Sequence, residues 1–261
     1  MTTTLTAAIE GIGLWAPGVP SWEAFVGLQR GEAAPEGAPA RPAPALLPPN
    51  ERRRAPDTVL VALQAAQAAC EAAGRDPATL PSVFASTYGE LAITDNMCAT
   101  LASAPTEISP TRFHNSVHNA AAGYWTIGTG AMEPATAISA GEATFAMGLV
   151  EALAQLEAGA PAVLLVAYDG AAVGPLHDVL GSEGLLGMAL VLARPGGNDR
   201  LQLRLDPDAG AAPVAPRCGI AARNAMAPAA LALAEALAGT HGTTALPLGE
   251  GRGLRIGLAH G

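Results

Sequence analysis

TAISAGEATFAMGLVEALAQLEAG, residues 136–159, reads as a short β-strand that passes almost without connector into a long helix. Residues 135–139 form an apolar, β-branched run that fits a buried strand. Ala140 and Gly141 fit a tight turn, and Glu142–Ala158 carries apolar residues at helical spacing. Glu142 therefore falls on a strand-to-helix elbow. Nucleophiles are placed at such elbows because the turn exposes the side chain while the helix dipole and free N–H groups favour negative charge. Two readings of Glu142 stay open: an acid in a first helical turn, worth about 0.3–1 kcal/mol, or the occupant of a functional position. Phe145, Met147, Leu149, Val150, Leu153 and Leu156 run round most of the helix. Such a helix needs covering on more than one side, by a partner subunit or by a C-terminal helix at about residues 228–238.

Outward from the elbow, strand and helix signals alternate. A first strand spans residues 5–14, and Ser21 can cap a helix beginning at Trp22. Residues 31–50 are too rich in proline for a helix or a central strand and read as a loop or extended arm, closed by Arg52, Arg53 and Arg54. That basic triplet reads as a solvated helix start, with an anion- or partner-binding role as the alternative. Asp57 is a plausible cap for a helix that stops at Gly74. Further strands are expected at 82–87, 162–168 and 187–193, and further helices to about Ala102 and over 117–128. Continuously apolar strands between helices describe a sheet buried on both faces. The class is α/β, with a mixed, mostly parallel sheet and helices on both faces. The chain is read as one domain over 1–261. Its less certain extension, 196–261, offers a strand at 201–205, an alanine-leucine helix and a terminal strand at 254–258.

Composition narrows the function. Half of the 261 residues are hydrophobic and 14% charged, which excludes a disordered chain. All 14 basic residues are arginine, and 23 acids leave a net charge of −9, which argues against nucleic acid or an anionic membrane as partner. No apolar run reaches the ~20 residues of a membrane-spanning helix. The start, MTTTLTAAIEGIG, lacks a basic region and an apolar core, so the chain reads as cytoplasmic. Cys70, Cys98 and Cys218 are an odd, scattered set and suggest neither a disulfide framework nor a zinc site; they read as inert small hydrophobes. His114 and His118 lack a third ligand at metal spacing, so no metal is expected, and no cofactor is implied. His177 and His260 read as solvent-exposed, and Asp169–Gly170 as turn chemistry.

ISAGEATFAMGLVEAL resembles the nucleophile elbow of the β-ketoacyl-ACP synthases, where a small-small-Cys motif precedes an alanine-glycine helix. NSVHNAAAGYWTIG, residues 115–128, is similar to the segment that precedes that elbow. With YGEL at 88–91, SPTRFHNSVHNAAAG at 109–123 and VLLVAYDG at 163–170, the pattern over about residues 50–195 resembles the short ketosynthase-like proteins of aryl polyene and xanthomonadin-type pathways.

The resemblance implies the N-terminal half of a thiolase-type fold and a chain-length-factor-like subunit that pairs with a catalytic ketosynthase, with an acyl carrier protein as a further partner. It places Glu142 in the seat of the catalytic cysteine. Condensation needs a thiolate that accepts an acyl group from a thioester, whereas a carboxylate would give a labile mixed anhydride. The implied subunit is therefore non-catalytic. Phe145 and Met147 would wall an acyl tunnel, and the Glu142 charge would be satisfied by helix N–H groups. His118 and Asn119 would bond loop backbone beside the elbow or touch an acyl or pantetheine group. THGTTALPLGE, residues 240–250, is similar to the ketosynthase His-Gly-Thr motif and leaves His241 as an imperfect catalytic candidate. The rival readings are a Glu142- or His241-dependent malonyl-ACP decarboxylase or thioester hydrolase, and a homodimeric scaffold with no acyl role.

Overall fold

The structure is a computed structural model that describes residues 5–196, 201–240 and 242–260. In chain order its first half holds strand β1 (Leu5–Trp15), helices α1 (Trp22–Gln29), α2 (Pro49–Arg54) and α3 (Asp57–Ala73), strand β2 (Ser82–Ala85), helices α4 (Leu91–Ser103), α5 (Pro110–Ser116) and α6 (Ala120–Thr129), and strand β3 (Ala135–Ile138). There follow α7 (Thr144–Ala158), β4 (Ala162–Asp169), α8 (Pro175–Leu180), β5 (Leu186–Ala193), β6 (Leu201–Ala211), α9 (Ala227–Glu235), β7 (Thr243–Gly249) and β8 (Arg252–His260).

One eight-stranded sheet runs in the order β3-β2-β4-β5-β1-β6-β8-β7. It is mixed, as expected, but mostly antiparallel. Parallel pairing is confined to β3-β2 and β2-β4, and the other five pairings are antiparallel. Apolar runs mark a strand as buried on both faces without fixing the direction of its neighbour. Helices cover both faces, as expected. α3 and α6 pack with one core around Phe84, Trp125 and Leu164, and α1, α7 and α9 with the other around Phe25, Leu149 and Leu231.

Small residues set the closest of these contacts. A Cβ on Gly11 or Gly13 of β1 would lie 2.1 Å from the Ala69 carbonyl oxygen or 2.0 Å from that of Ala65. The alanine stripe of α3 thus rests backbone to backbone on β1, with Gly187 of β5 similarly close to Val61. α3 stops where Gly74 takes the left-handed conformation at φ 63°.

Several expectations change. Asp57 is not the cap of α3; Pro56 holds that position and Asp57 pairs with Arg41 at 2.5 Å. The arginine triplet ends α2 instead of starting a helix, which suits the negative end of the helix dipole. β3 is an edge strand, half-exposed and not buried. The segment resembling a His-Gly-Thr motif is the edge strand β7, whose Pro247 such an edge tolerates. β7 joins β8 through Glu250 and Gly251, both at positive φ, a tight-hairpin signature. His241 lies outside the described residues. The cover for α7 comes from α9 and β7 of the same chain, so the greasiness of α7 does not itself call for a partner.

Gly13→Ala has no room, because the obstacle is backbone; a loss of about 1–3 kcal/mol is expected from overpacking. Gly123→Ala in α6 meets nothing within 4 Å and should raise stability by about 0.4–1 kcal/mol. Urea unfolding of the two variants should give shifts of opposite sign.

Candidate active site

The elbow exists and is tied at each step. Gly141 sits at φ 57°, open to glycine without strain, and a single 3-10 turn over Gly141–Ala143 leads into α7. The Thr144 hydroxyl accepts from the Ala140 N–H at 2.9 Å and donates to the Gly141 carbonyl at 2.7 Å. Ser139 donates to the Thr87 carbonyl at 2.9 Å, fastening the elbow to the loop after β2.

That loop hangs on a buried carboxylate. Asp169, fully buried at the end of β4, accepts from the Ser86 hydroxyl at 2.8 Å and from the Thr87 and Tyr88 N–H groups at 3.0 and 3.2 Å. Ser86 in turn accepts from the Gly89 N–H, and its carbonyl meets His118 Nε2 at 2.8 Å. The Asn224 amide donates to the Asp169 carbonyl at 2.9 Å, and its oxygen accepts the Met226 N–H at 3.0 Å. Burial pushes the Asp169 carboxyl above the usual carboxylate range, against the pull of the Ser86, Thr87 and Tyr88 hydrogen bonds. Asp169 is thus more than the turn residue expected after an apolar strand. A lone acid after an apolar strand gives no sign of loops brought from residues 86 and 224.

Both strings end at one cavity of about 220 Å³ at the elbow, lined by Thr87, Glu142, Phe145, Met226 and Pro247 among others. Glu142 is exposed at its mouth, and its carboxylate makes no hydrogen bond or ion pair among the described residues, so the expected satisfaction by helix N–H groups does not occur. Phe145 is buried and lines the cavity; Met147, half-buried, packs at the core margin and does not. His118 bonds loop backbone, as one of its two readings had it. Asn119 is exposed, makes no capping bond and lines a separate groove beside α6. Glu235 of α9 accepts the Arg217 and Cys218 N–H groups at 2.6–3.0 Å, pinning the segment that leads to Met226.

No thiol stands at the elbow cavity. Burial pushes the Cys70 thiol of α3 up to about 12; burial and Glu235 do the same to Cys218. Cys98 is exposed on α4, not buried. None of the three lines the cavity. Among the described residues no group of three His, Cys, Asp or Glu side chains is arranged to hold a metal, and no helix is long and apolar enough to cross a membrane. His177 is not free: its Nε2 lies 3.3 Å from Glu183, which also pairs with Arg223.

With this geometry in place, the sequence profile of the β-ketoacyl synthase N-terminal domain matches residues 24–250. The chain belongs to that ketosynthase family. No protein of curated function matches it in sequence. A chain of the ketosynthase–chain length factor complex of Xenorhabdus doucetiae superposes with a TM-score of 0.75 at 24% identity, covering 97% of this chain and 99% of that one. The ishigamide ketosynthase/chain length factor gives 0.60 at 18% identity, covering 78% and 69%. A type II polyketide synthase acyl-carrier protein in complex with its ketosynthase gives 0.60 at 15%, covering 77% and 68%. The fold of this ketosynthase-family chain is thus the thiolase-like α/β fold, with a carboxylate at its elbow.

Asp169→Ala should cost several kcal/mol, because each buried donor left unpaired costs about 1–3 kcal/mol. The raised folded value also fixes a sign. Asp169 contributes stability that is full below the ordinary carboxylate value, about 3.9, and is lost as pH rises through the folded value. Urea midpoints measured across acidic pH should fall with rising pH for the wild type relative to Asp169→Asn.

Proposed function

We propose that this chain is a non-condensing ketosynthase-like subunit that pairs with a cysteine-bearing ketosynthase in the cytoplasm and shapes the space available to a growing acyl chain. The observation that carries this is Glu142, a carboxylate at the elbow on the mouth of a cavity that Phe145 walls. A carboxylate cannot hold a stable acyl group in exchange for a thioester, because the mixed anhydride is the better acyl donor of the two and hydrolyses. The likeness in fold and length to a chain of a ketosynthase–chain length factor complex supports the pairing.

The pairing surface we assign is the β3 edge. β3 offers unpaired backbone groups on its outer side, and beside it Met132 and Ile127 are 95% and 82% exposed. Native proteins rarely leave an apolar sheet edge open without a partner. The arginines of α2 offer a basic surface for an acidic carrier protein on an otherwise acidic chain. The rival enzyme reading needs Glu142 or His241 as a base; His241 lies outside the described residues, and among those residues no group hydrogen-bonds the Glu142 carboxylate to orient it.

Two outcomes check the proposal. Purified protein should decarboxylate malonyl-ACP no faster than background, with Glu142→Ala unchanged; a rate lost on that substitution favours the enzyme. Co-expressed ketosynthase should co-purify with the wild type and be lost with the Ile127→Glu, Met132→Glu double variant, while circular dichroism stays unchanged.

A further inference from the structure

We infer that the cleft between α2, α4 and α5 is an oxyanion-binding site, for a carboxylate or phosphate carried on a small apolar body. The inference stands on the cleft alone and not on the pairing proposed above.

The cleft measures about 530 Å³ and is lined by Arg54, Ala92, Ile93, Asn96, Ser109, Thr111, Arg112 and Asn115. Helical spacing gathers these side chains: Ala92 and Asn96 are four apart on α4, and Arg112 and Asn115 three apart on α5. Among the described residues no aspartate or glutamate lines it. Neither the Arg54 nor the Arg112 side chain has an ion pair or hydrogen bond among those residues, whereas Arg41, Arg75 and Arg223 each have a carboxylate partner. Two guanidinium groups facing one cleft without a counter-charge repel each other, and an oxyanion accepting from both removes that repulsion through charge-assisted bonds.

Asn115 adds a further donor to the cleft. The residue is 97% buried, from its relative exposure of 3%, and its Oδ1 accepts from the Tyr124 hydroxyl at 3.1 Å. That bond assigns Nδ2 as the group left over; it has no partner among the described residues and is not sealed from solvent, so it can donate to an anion held in the cleft. The Ser109 hydroxyl accepts only a long 3.4 Å bond from the Arg112 N–H, leaving its own proton to donate. Ala92 and Ile93 give the opposite wall an apolar surface for the body that carries the anion.

The neighbouring acids Asp57, Glu90 and Glu51 line adjoining cavities that Arg54 also borders, and none of them pairs with it among the described residues. Asp57 pairs with Arg41, and Glu90 accepts from the Thr58 hydroxyl; both line the adjoining cavity at the start of α3. Glu51 faces the groove beside α6. Asp95 approaches Gly174, whose added Cβ would lie 2.4 Å from its Oδ1.

The test is calorimetric titration of the full chain with inorganic phosphate and, separately, with benzoate, in a buffer free of competing oxyanions. Saturable binding of at least one is expected. An Arg54→Gln, Arg112→Gln double variant should weaken it about tenfold or more, whereas Arg53→Gln, outside the cleft, should leave it unchanged. Both arginines are exposed, so these variants should fold, which circular dichroism checks. Benzoate as the tighter ligand assigns the site to an organic carboxylate, and phosphate as the tighter assigns it to a phosphorylated tether. Absence of saturable binding by either, or binding that survives the double variant, overturns the inference.

Discussion

Asp169 is the constraint on which the site depends. Its carboxylate and carbonyl stand at the end of the central strand β4, and from them run the hydrogen bonds that set the loop at 86–89 and the turn at Asn224. Thr87 and Met226, one from each, both line the elbow cavity. A charge placed out of water in this way costs free energy unless its lone pairs are filled. Here three donors fill the carboxylate, and the cost is met by fixing two distant segments at once.

The elbow obeys a similar economy. Thr144 closes the turn from within, Ser139 ties it to Thr87, and Gly141 supplies the positive φ that a sharp entry into α7 requires. The consequence is a rigid seat at the start of a helix whose greasy faces are covered by the sheet and by α9. What occupies the seat decides the chemistry, and a carboxylate there departs from a condensing enzyme in kind.

The class of the fold, its central strands and the elbow were legible because apolar period and turn residues are local signals. Ala162–Asp169 and Leu186–Ala193 are strands because each is apolar throughout, and Gly74 marks the end of α3. Strand direction was not legible, since pairing partners such as β1 and β5 are far apart in sequence and nothing in either run encodes their relative sense. The hairpin of β7 and β8 was half missed because Pro247 argues against a strand everywhere except at an edge. At the site, Glu142 and Phe145 could be placed from the elbow alone. The roles of Asp169, Asn224 and Glu235 could not, because each reaches a residue at least 17 positions away. The readiest signal was the isolation of Asp169 after seven apolar residues.

The central claim is that the chain occupies a condensing enzyme's architecture without its covalent chemistry. Intact-protein mass spectrometry after incubation with an acyl-carrier thioester, alone and together with a cysteine-bearing ketosynthase, tests it most directly. The account predicts an acyl adduct on the ketosynthase and none on this chain in either mixture. A hydroxylamine-labile acyl group mapped to the peptide containing Glu142 would contradict it.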